Sequence, residues 1–256
     1  MTARVSWIAY TPVKALAMWQ VEEAELDETG VRGDRLFFLV DQNDRLVNDK
    51  GHGPLQRVRA RYDGADRLLT LELPGGEELQ GAIEPGEEIV ASFHNTPKPA
   101  RLVPGSWDDA LSEYAGVPVR LVEPAGQAPD RGRSGATTLL GDGSLAAIAG
   151  ALGVETVDPR RFRMNLGVEG LGPHAEDAWI GRRVRVGEAV VVPQGNVGRC
   201  AITTQDPETG IRDLDTLGAL ADYRGDVETT EPLPFGVHAA VVTPGRVRLG
   251  DPVELV

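Results

Sequence analysis

Apolar residues in this chain fall mostly in short alternating or continuous runs bounded by turn residues, the pattern of β-strands rather than long helices. Val5–Tyr10 mixes β-branched and aromatic residues before Thr11-Pro12. Arg35–Val40 reads as a buried strand, Asp41–Asp44 as a turn, and Arg45–Asn48 as the returning strand. Val58–Tyr62 and Leu68–Leu73 continue the sheet up to the turn Pro74-Gly75-Gly76. Helical spacing first appears at Trp107–Tyr114, where Trp107, Leu111 and Tyr114 share a face and Gly116 and Pro118 stop the helix. Ser144–Leu152 is a second helix, with Asp142 or Ser144 as cap and Gly153 as terminator. Arg161–Val168 and Val184–Val192 read as strands, and the loop Gly195–Cys200 leads into Ala201–Thr204. Leu214–Tyr223 is a third helix, and Val237–Val242 and Val247–Leu249 close the chain as strands around Pro244-Gly245. The class is mostly β with a few helices, in a barrel or sandwich architecture.

Composition narrows the functional classes. The formal charge is −13, and an acidic surface repels phosphate backbones, which argues against nucleic-acid binding. No apolar run approaches the ~20 residues of a membrane-spanning helix. The N-terminal MTARVSWIAYTPVK has no long apolar region, so we expect a cytoplasmic protein with no membrane association. One cysteine excludes an internal disulfide and a cysteine-based zinc cluster, and the four histidines lack metal-ligand spacing. Positive charge is almost all arginine; the only lysines are Lys14, Lys50 and Lys98. Glu123–Gly135 is polar and rich in Gly and Pro, and is the best linker candidate. It divides the chain into an N-terminal β domain over residues 1–122 and a second domain over residues 123–256.

Two segments carry candidate chemistry. Cys200 follows flexible glycines, adjoins Arg199 and precedes Thr203 and Thr204. A neighbouring cation favours the thiolate, which is both a nucleophile and a soft-metal ligand. The competing reading is an inert cysteine packed as a small hydrophobe. In a strand, Arg161, Arg163 and Asn165 would share one face and offer two guanidinium forks and an amide to a phosphate or fused heterocycle. The alternative is a solvated face over a core of Phe162 and Met164. Lys14 and Arg35 each lie in or beside a turn next to a strand, where a plain surface charge is the simplest reading.

Taken in order, seven segments resemble motifs of the MOSC family (molybdenum cofactor sulfurase C-terminal domain), most of all the subgroup of the mitochondrial amidoxime-reducing component and its bacterial relatives. They are Tyr10-Thr11-Pro12-Val13-Lys14, Gly33–Val40, Ser144-Leu145-Ala146, Arg161–Asn165, Ala175–Trp179, Arg199–Gly210 and Gly250–Val253. The resemblance implies an N-terminal MOSC-associated β-barrel domain followed by a MOSC β-barrel domain carrying the cofactor cysteine. It implies that Cys200 supplies a thiolate to molybdenum beside the dithiolene of the pyranopterin cofactor. Lys14 and Arg35 would contact the phosphate end of the cofactor, and Arg163 and Asn165 its pterin and phosphate. Ser144, Arg199, Thr203 and Thr204 would be further contacts. Ala15 stands where the subgroup has serine, Met164 where it has proline, and the segment around Phe235–His238 also departs from it. These departures touch the substrate more than the cofactor.

The implied activity is a molybdenum-dependent oxidoreductase that removes oxygen from a small N-hydroxylated substrate. Its electrons would come from a separate iron–sulfur or haem protein, since one cysteine cannot hold a cluster. The alternatives are a sulfur or cofactor carrier and a non-catalytic binding module. At 256 residues there is no room for the pyridoxal-phosphate domain of a complete sulfurase, so no pyridoxal phosphate is expected.

Overall fold

The computed structural model describes residues 2–126, 132–229 and 231–256. The chain is mostly β, as its periodicity predicts, with four sheets and three α-helices among the described residues. The strand orders are open at both ends, so the sheets do not close into the expected barrels.

The largest sheet has eight strands, in the order Val253–Leu255, Val184–Val186, Ala189–Gly198, Pro234–Thr243, Thr137–Gly141, Leu166–Glu169, Arg4–Tyr10 and Trp19–Val21. Thr137–Gly141 and Leu166–Glu169 are its parallel pair. A parallel pair needs a crossover, and helix α2 (Asp142–Leu152) lies within it. Arg4–Tyr10 pairs with Leu166–Glu169, so the first strand belongs to the sheet of the C-terminal half although the composition break lies near residue 122. The five-stranded sheet of the N-terminal half runs Glu88–Phe93, Thr96–Leu102, Arg120–Pro124, Phe38–Val40 and Leu46–Val47. Two three-stranded sheets complete the fold: Gly245–Arg248, Glu23–Asp27 and Gly30–Val31, and Arg59–Asp63, Leu68–Glu72 and Glu78–Ala82.

Helix α1 (Trp107–Ala115) buries Trp107, Leu111 and Ala115 at four-residue spacing and ends on Gly116, whose φ of 69° only glycine adopts without strain. α2 begins at Asp142, with Gly141 rather than a side chain as its cap, and ends on Gly153. Helix α3 (Thr216–Arg224) is capped by Asp215, whose carboxylate accepts from Gly218 N at 2.9 Å.

Three sequence expectations need correction. Arg161–Val168 is not one strand: Asp158 and Pro159 open a single 3-10 turn, Pro159–Phe162, and the strand begins only at Leu166. Asp before Pro is a helix-start pair, and it overrides the β-like alternation after it. Val184–Val192 is broken at Gly187 into a hairpin of Val184–Val186 and Ala189–Gly198. The run from Arg35 is extended only over Phe38–Val40, because Arg35 itself is left-handed at φ 49°. The hairpin Glu88–Phe93/Thr96–Leu102 has no clear sequence signal, since Pro97 and Pro99 argue against a strand. Ala100–Leu102 pairs with Arg120–Pro124, so Pro97 lies beyond that ladder, and Pro99 sits at its end, where its carbonyl accepts from Ala125 N at 2.9 Å and no donor is asked of its nitrogen. Of the linker candidate, residues 127–131 lie outside the described residues.

Candidate functional site

The strand Ala189–Gly198 delivers the site. Its pairing with Pro234–Thr243 is irregular at three places, the last between Asn196 and Gly198. A bulge bends and twists a strand and re-aims the residues beyond it. Here those residues include Cys200, extended at φ −133° and ψ 179°, which caps the 3-10 turn Ala201–Thr204. Its side chain is exposed and on the wall of a cavity of about 520 Å³, in the range of small-ligand sites. The reading of Cys200 as a buried hydrophobe is therefore excluded.

The cavity gathers residues from distant parts of the chain: Lys14, Arg35, Arg163, Asn165, Arg199 and Cys200 all line it. Backbone strain concentrates there. Among the described residues, nine non-glycine residues have left-handed φ, and four of them, Ala15, Arg35, His94 and Arg163, line this cavity. Such conformations persist only where the surroundings impose them, and they cluster at ligand sites.

A polar scaffold holds the wall. Asp34 accepts from Thr11 N at 2.9 Å and from Asn165 Nδ2 at 3.0 Å, and the Arg35 guanidinium also bonds its carboxylate. Arg35 Nη2 reaches the Arg163 carbonyl at 2.9 Å. Arg163 in turn donates to the Leu16 carbonyl at 2.8 Å, with its Nε 3.1 Å from Asp49. Asn165 is 2 % exposed; its amide donates to Ala9 O and Asp34 and accepts from Thr138 Oγ1. Asn165 therefore joins the first strand to the cavity wall, with its Nδ2 already engaged by protein.

Arg199 is mostly buried. Its fork donates to the carbonyls of Phe162 and Phe235, each through a contact of 2.9 Å, and to Met164 Sδ at 2.9 Å. It also lies over the rings of Phe162 and Phe235. Met164, in place of the motif's proline, thus supplies a sulfur acceptor. Gly236 beside it sits at φ 72°, where a Cβ would lie 2.7 Å from Met164 Cε.

The remaining predicted residues lie off the cavity lining. Thr203 is fully buried; its hydroxyl bonds Cys200 O at 3.2 Å and Thr216 Oγ1 at 2.7 Å. Thr204 Oγ1 closes the same turn onto Ala201 O at 2.7 Å. The pair shapes the turn that presents the thiol. Ser144 is fully buried, donates to Glu176 at 2.6 Å and accepts from His174 N at 3.0 Å, so it fastens the Ala175–Trp179 turn. Arg161 forms a bidentate pair with Asp213 at 2.6 and 2.7 Å, which ties the turn before the site to the loop after it. Asp213 is held below the usual carboxylate range by that bond.

The cavity also holds Asn48, Asp49, Lys50, His94 and Thr138, which the sequence motifs do not single out. The available signal was the scarcity of lysine: Lys14 and Lys50 both line the cavity. Lys50 is anchored from the far side, since its carbonyl accepts from Gln205 Nε2 at 3.3 Å and Gln205 accepts from Gln56 at 2.7 Å.

A second polar cluster lies away from the cavity. Burial raises the Glu176 pKa, and burial with the nearby Arg224 charge pushes His174 down to about 4. Neither ring nitrogen of His174 has a hydrogen-bond partner among the described residues. A histidine with a depressed folded pKa contributes stability that is complete above the unfolded value of ~6.5 and is lost as pH falls toward the folded one. Stability is therefore expected to drop between about pH 6.5 and about pH 4, with Glu176 acting in the opposite sense. In His174→Phe, urea denaturation from about pH 7.5 to about pH 4.5 should show a flatter acid limb; an unchanged slope would exclude His174 as its source.

Two family profiles match the chain: "MOSC N-terminal beta barrel domain" over residues 2–113 and "MOSC domain" over residues 130–254. The chain is 27% identical over 281 aligned residues to human mitochondrial amidoxime-reducing component 1, covering 95% of this chain and 80% of that protein. Mouse amidoxime-reducing component 1 is 37% identical over 105 residues, 39% of this chain and 30% of that protein. Zebrafish (Danio rerio) molybdenum cofactor sulfurase is 24% identical over 269 residues, 90% of this chain and 31% of that protein. The alignments thus span under a third of the mouse and zebrafish proteins. No helix among the described residues is long and apolar enough to cross a membrane. With both domain profiles matched in order over nearly its whole length, and Cys200 in the cavity formed between elements of both, the chain belongs to the MOSC-domain family.

Proposed function

We propose that this protein is a molybdenum-cofactor-dependent oxidoreductase that reduces small N-hydroxylated compounds with electrons from a separate iron–sulfur or haem protein. The observation that carries the reading is the exposed Cys200 thiol in a cavity of about 520 Å³ that it shares with Lys14, Arg35 and Arg163. The donor set fits the cofactor. A soft thiolate suits a metal already bound by sulfur, and cations suit the phosphate at the far end of a pyranopterin. In this reading Cys200 holds the metal, Lys14, Arg35 and Arg163 hold the phosphate and pterin, and Asn165 with Asp34 keeps those cations in register. The bound cofactor would supply the two-electron chemistry. The overall change takes up two electrons and two protons, breaks the N–O bond of an amidoxime and releases water, leaving the amidine. The chain's own work is to orient the cofactor and shape the space beside the thiol. The names of the amidoxime-reducing relatives support the reaction class, at identities that leave the substrate to experiment.

The exposed thiol would also suit a sulfur or cofactor carrier, and the sulfurase relative makes that the second reading. Protein made in cofactor-replete cells separates the two. Bound molybdenum with dithionite-driven reduction of benzamidoxime is the expected result. Molybdenum without turnover of any N-hydroxylated compound would favour a carrier, and no molybdenum would leave a non-catalytic module.

A further inference from the structure

The chain has three lysines, at positions 14, 50 and 98, and two of them line the cavity while the third shares an aromatic neighbour with Lys14. Phe93, buried at the end of its strand, is that shared pedestal. Lys14 Nζ lies 5.7 Å from its ring centre, Lys98 Nζ 5.3 Å, and the His94 ring packs edge-on at 4.8 Å. His94 and Asn95, at φ 49° and 66°, form the tight primed turn of the hairpin, which brings His94 to the cavity. Lys50 enters from a different loop. Its carbonyl accepts from Gln205, which is bonded by Gln56 and closes the turn that Cys200 opens, so the backbone of Lys50 is tied to the turn that bears the thiol.

Among the described residues, the carboxylates of the lining are matched by arginines: Asp34 by Arg35, and Asp49 by Arg163. Lys50 therefore adds a cation to a cavity in which both described carboxylates already face arginines, in a protein whose net charge is −13. Resting on the proposed cofactor role, in which Lys14 serves the phosphate, we infer that Lys50 selects substrates that carry a carboxylate beside the reducible N-hydroxy group. A lysine ammonium suits this task, because its three donors on a flexible stem accommodate a carboxylate on substrates of differing length.

The test compares benzamidoxime with 4-carboxybenzamidoxime on molybdenum-loaded protein with dithionite as reductant. One charge-assisted hydrogen bond corresponds to about tenfold or more in kcat/KM. Wild-type protein should favour the acid by about that factor, Lys50→Gln should abolish the ratio, and Lys50→Arg should retain much of it. Added salt should reduce the preference. Equal kcat/KM for the two compounds in wild type, or an equal fall for both in Lys50→Gln, would overturn the inference. So would loss of molybdenum from Lys50→Gln, which would assign Lys50 to the cofactor. If neither compound is reduced, the reaction assignment fails, and calorimetric titration of the two compounds still decides the inference by whether the acid binds more tightly through Lys50.

Discussion

Replacing Cys200 with serine is expected to remove bound molybdenum and to lower amidoxime turnover by at least about a hundredfold while leaving the fold intact. Serine is nearly the same size, and the cysteine side chain is exposed, so no core contact is lost. The turn that presents it is held by other atoms: Thr203 N and Oγ1 both bond the residue-200 carbonyl at 3.2 Å, and Thr204 Oγ1 closes onto Ala201. The melting temperature should therefore move little. What changes is the ligand. A hydroxyl is harder and far less acidic than a thiol, and a metal carrying sulfur ligands loses a matched partner. Elemental analysis, turnover and a melting curve on the same preparation check all three parts. Full turnover in the serine variant would end the proposed role of this residue.

Arg199→Met is expected to cost about 3 kcal/mol of folding stability, because the guanidinium is the donor for two buried carbonyls, those of Phe162 and Phe235. Methionine keeps much of the volume and some contact with the two rings, but donates nothing. An orphaned buried carbonyl costs roughly 1–3 kcal/mol, and for a chain of this size ~3 kcal/mol lowers Tm by about 6–12 °C. The effect should reach function as well. Arg199 precedes Cys200 directly and ties Phe162, Met164 and Phe235 to the end of the strand. Losing that tie lets the thiol drift relative to Arg163, so molybdenum content should fall too. Arg199→Lys, with one ammonium in place of the fork, should lie between. A melting temperature within about 2 °C of wild type would show that water replaces these bonds at little cost.

Arg199 also shows how local reading divides. From sequence it is a cation placed to activate a neighbouring thiol; in the fold its donors are spent on carbonyls and a sulfur. Arg161, Arg163 and Asn165 show the same division. As a strand they would form one planar donor face. The turn opened by Asp158-Pro159 sends Arg161 to Asp213, Arg163 to the cavity and Asn165 into the junction with Asp34 and Ala9. Thr203, Thr204 and Ser144 belong to recognisable motifs, and all three act on backbone turns or on Glu176. A motif identifies residues that matter together without saying which of them face the ligand.

Amino-acid order alone determined the β-rich class, the three helices, two of them with glycine stops in the left-handed conformation, and the singular position of Cys200, because these depend on short-range periodicity, capping and composition. Only the tertiary structure decided which side chains share the cavity. Lys14, Lys50, His94, Arg163 and Cys200 meet through pairings such as Arg4–Tyr10 with Leu166–Glu169 and contacts such as Gln56 with Gln205, whose separation is 149 residues. Such pairings are set by which buried faces and donors satisfy each other across the whole chain. No window of sequence contains that information.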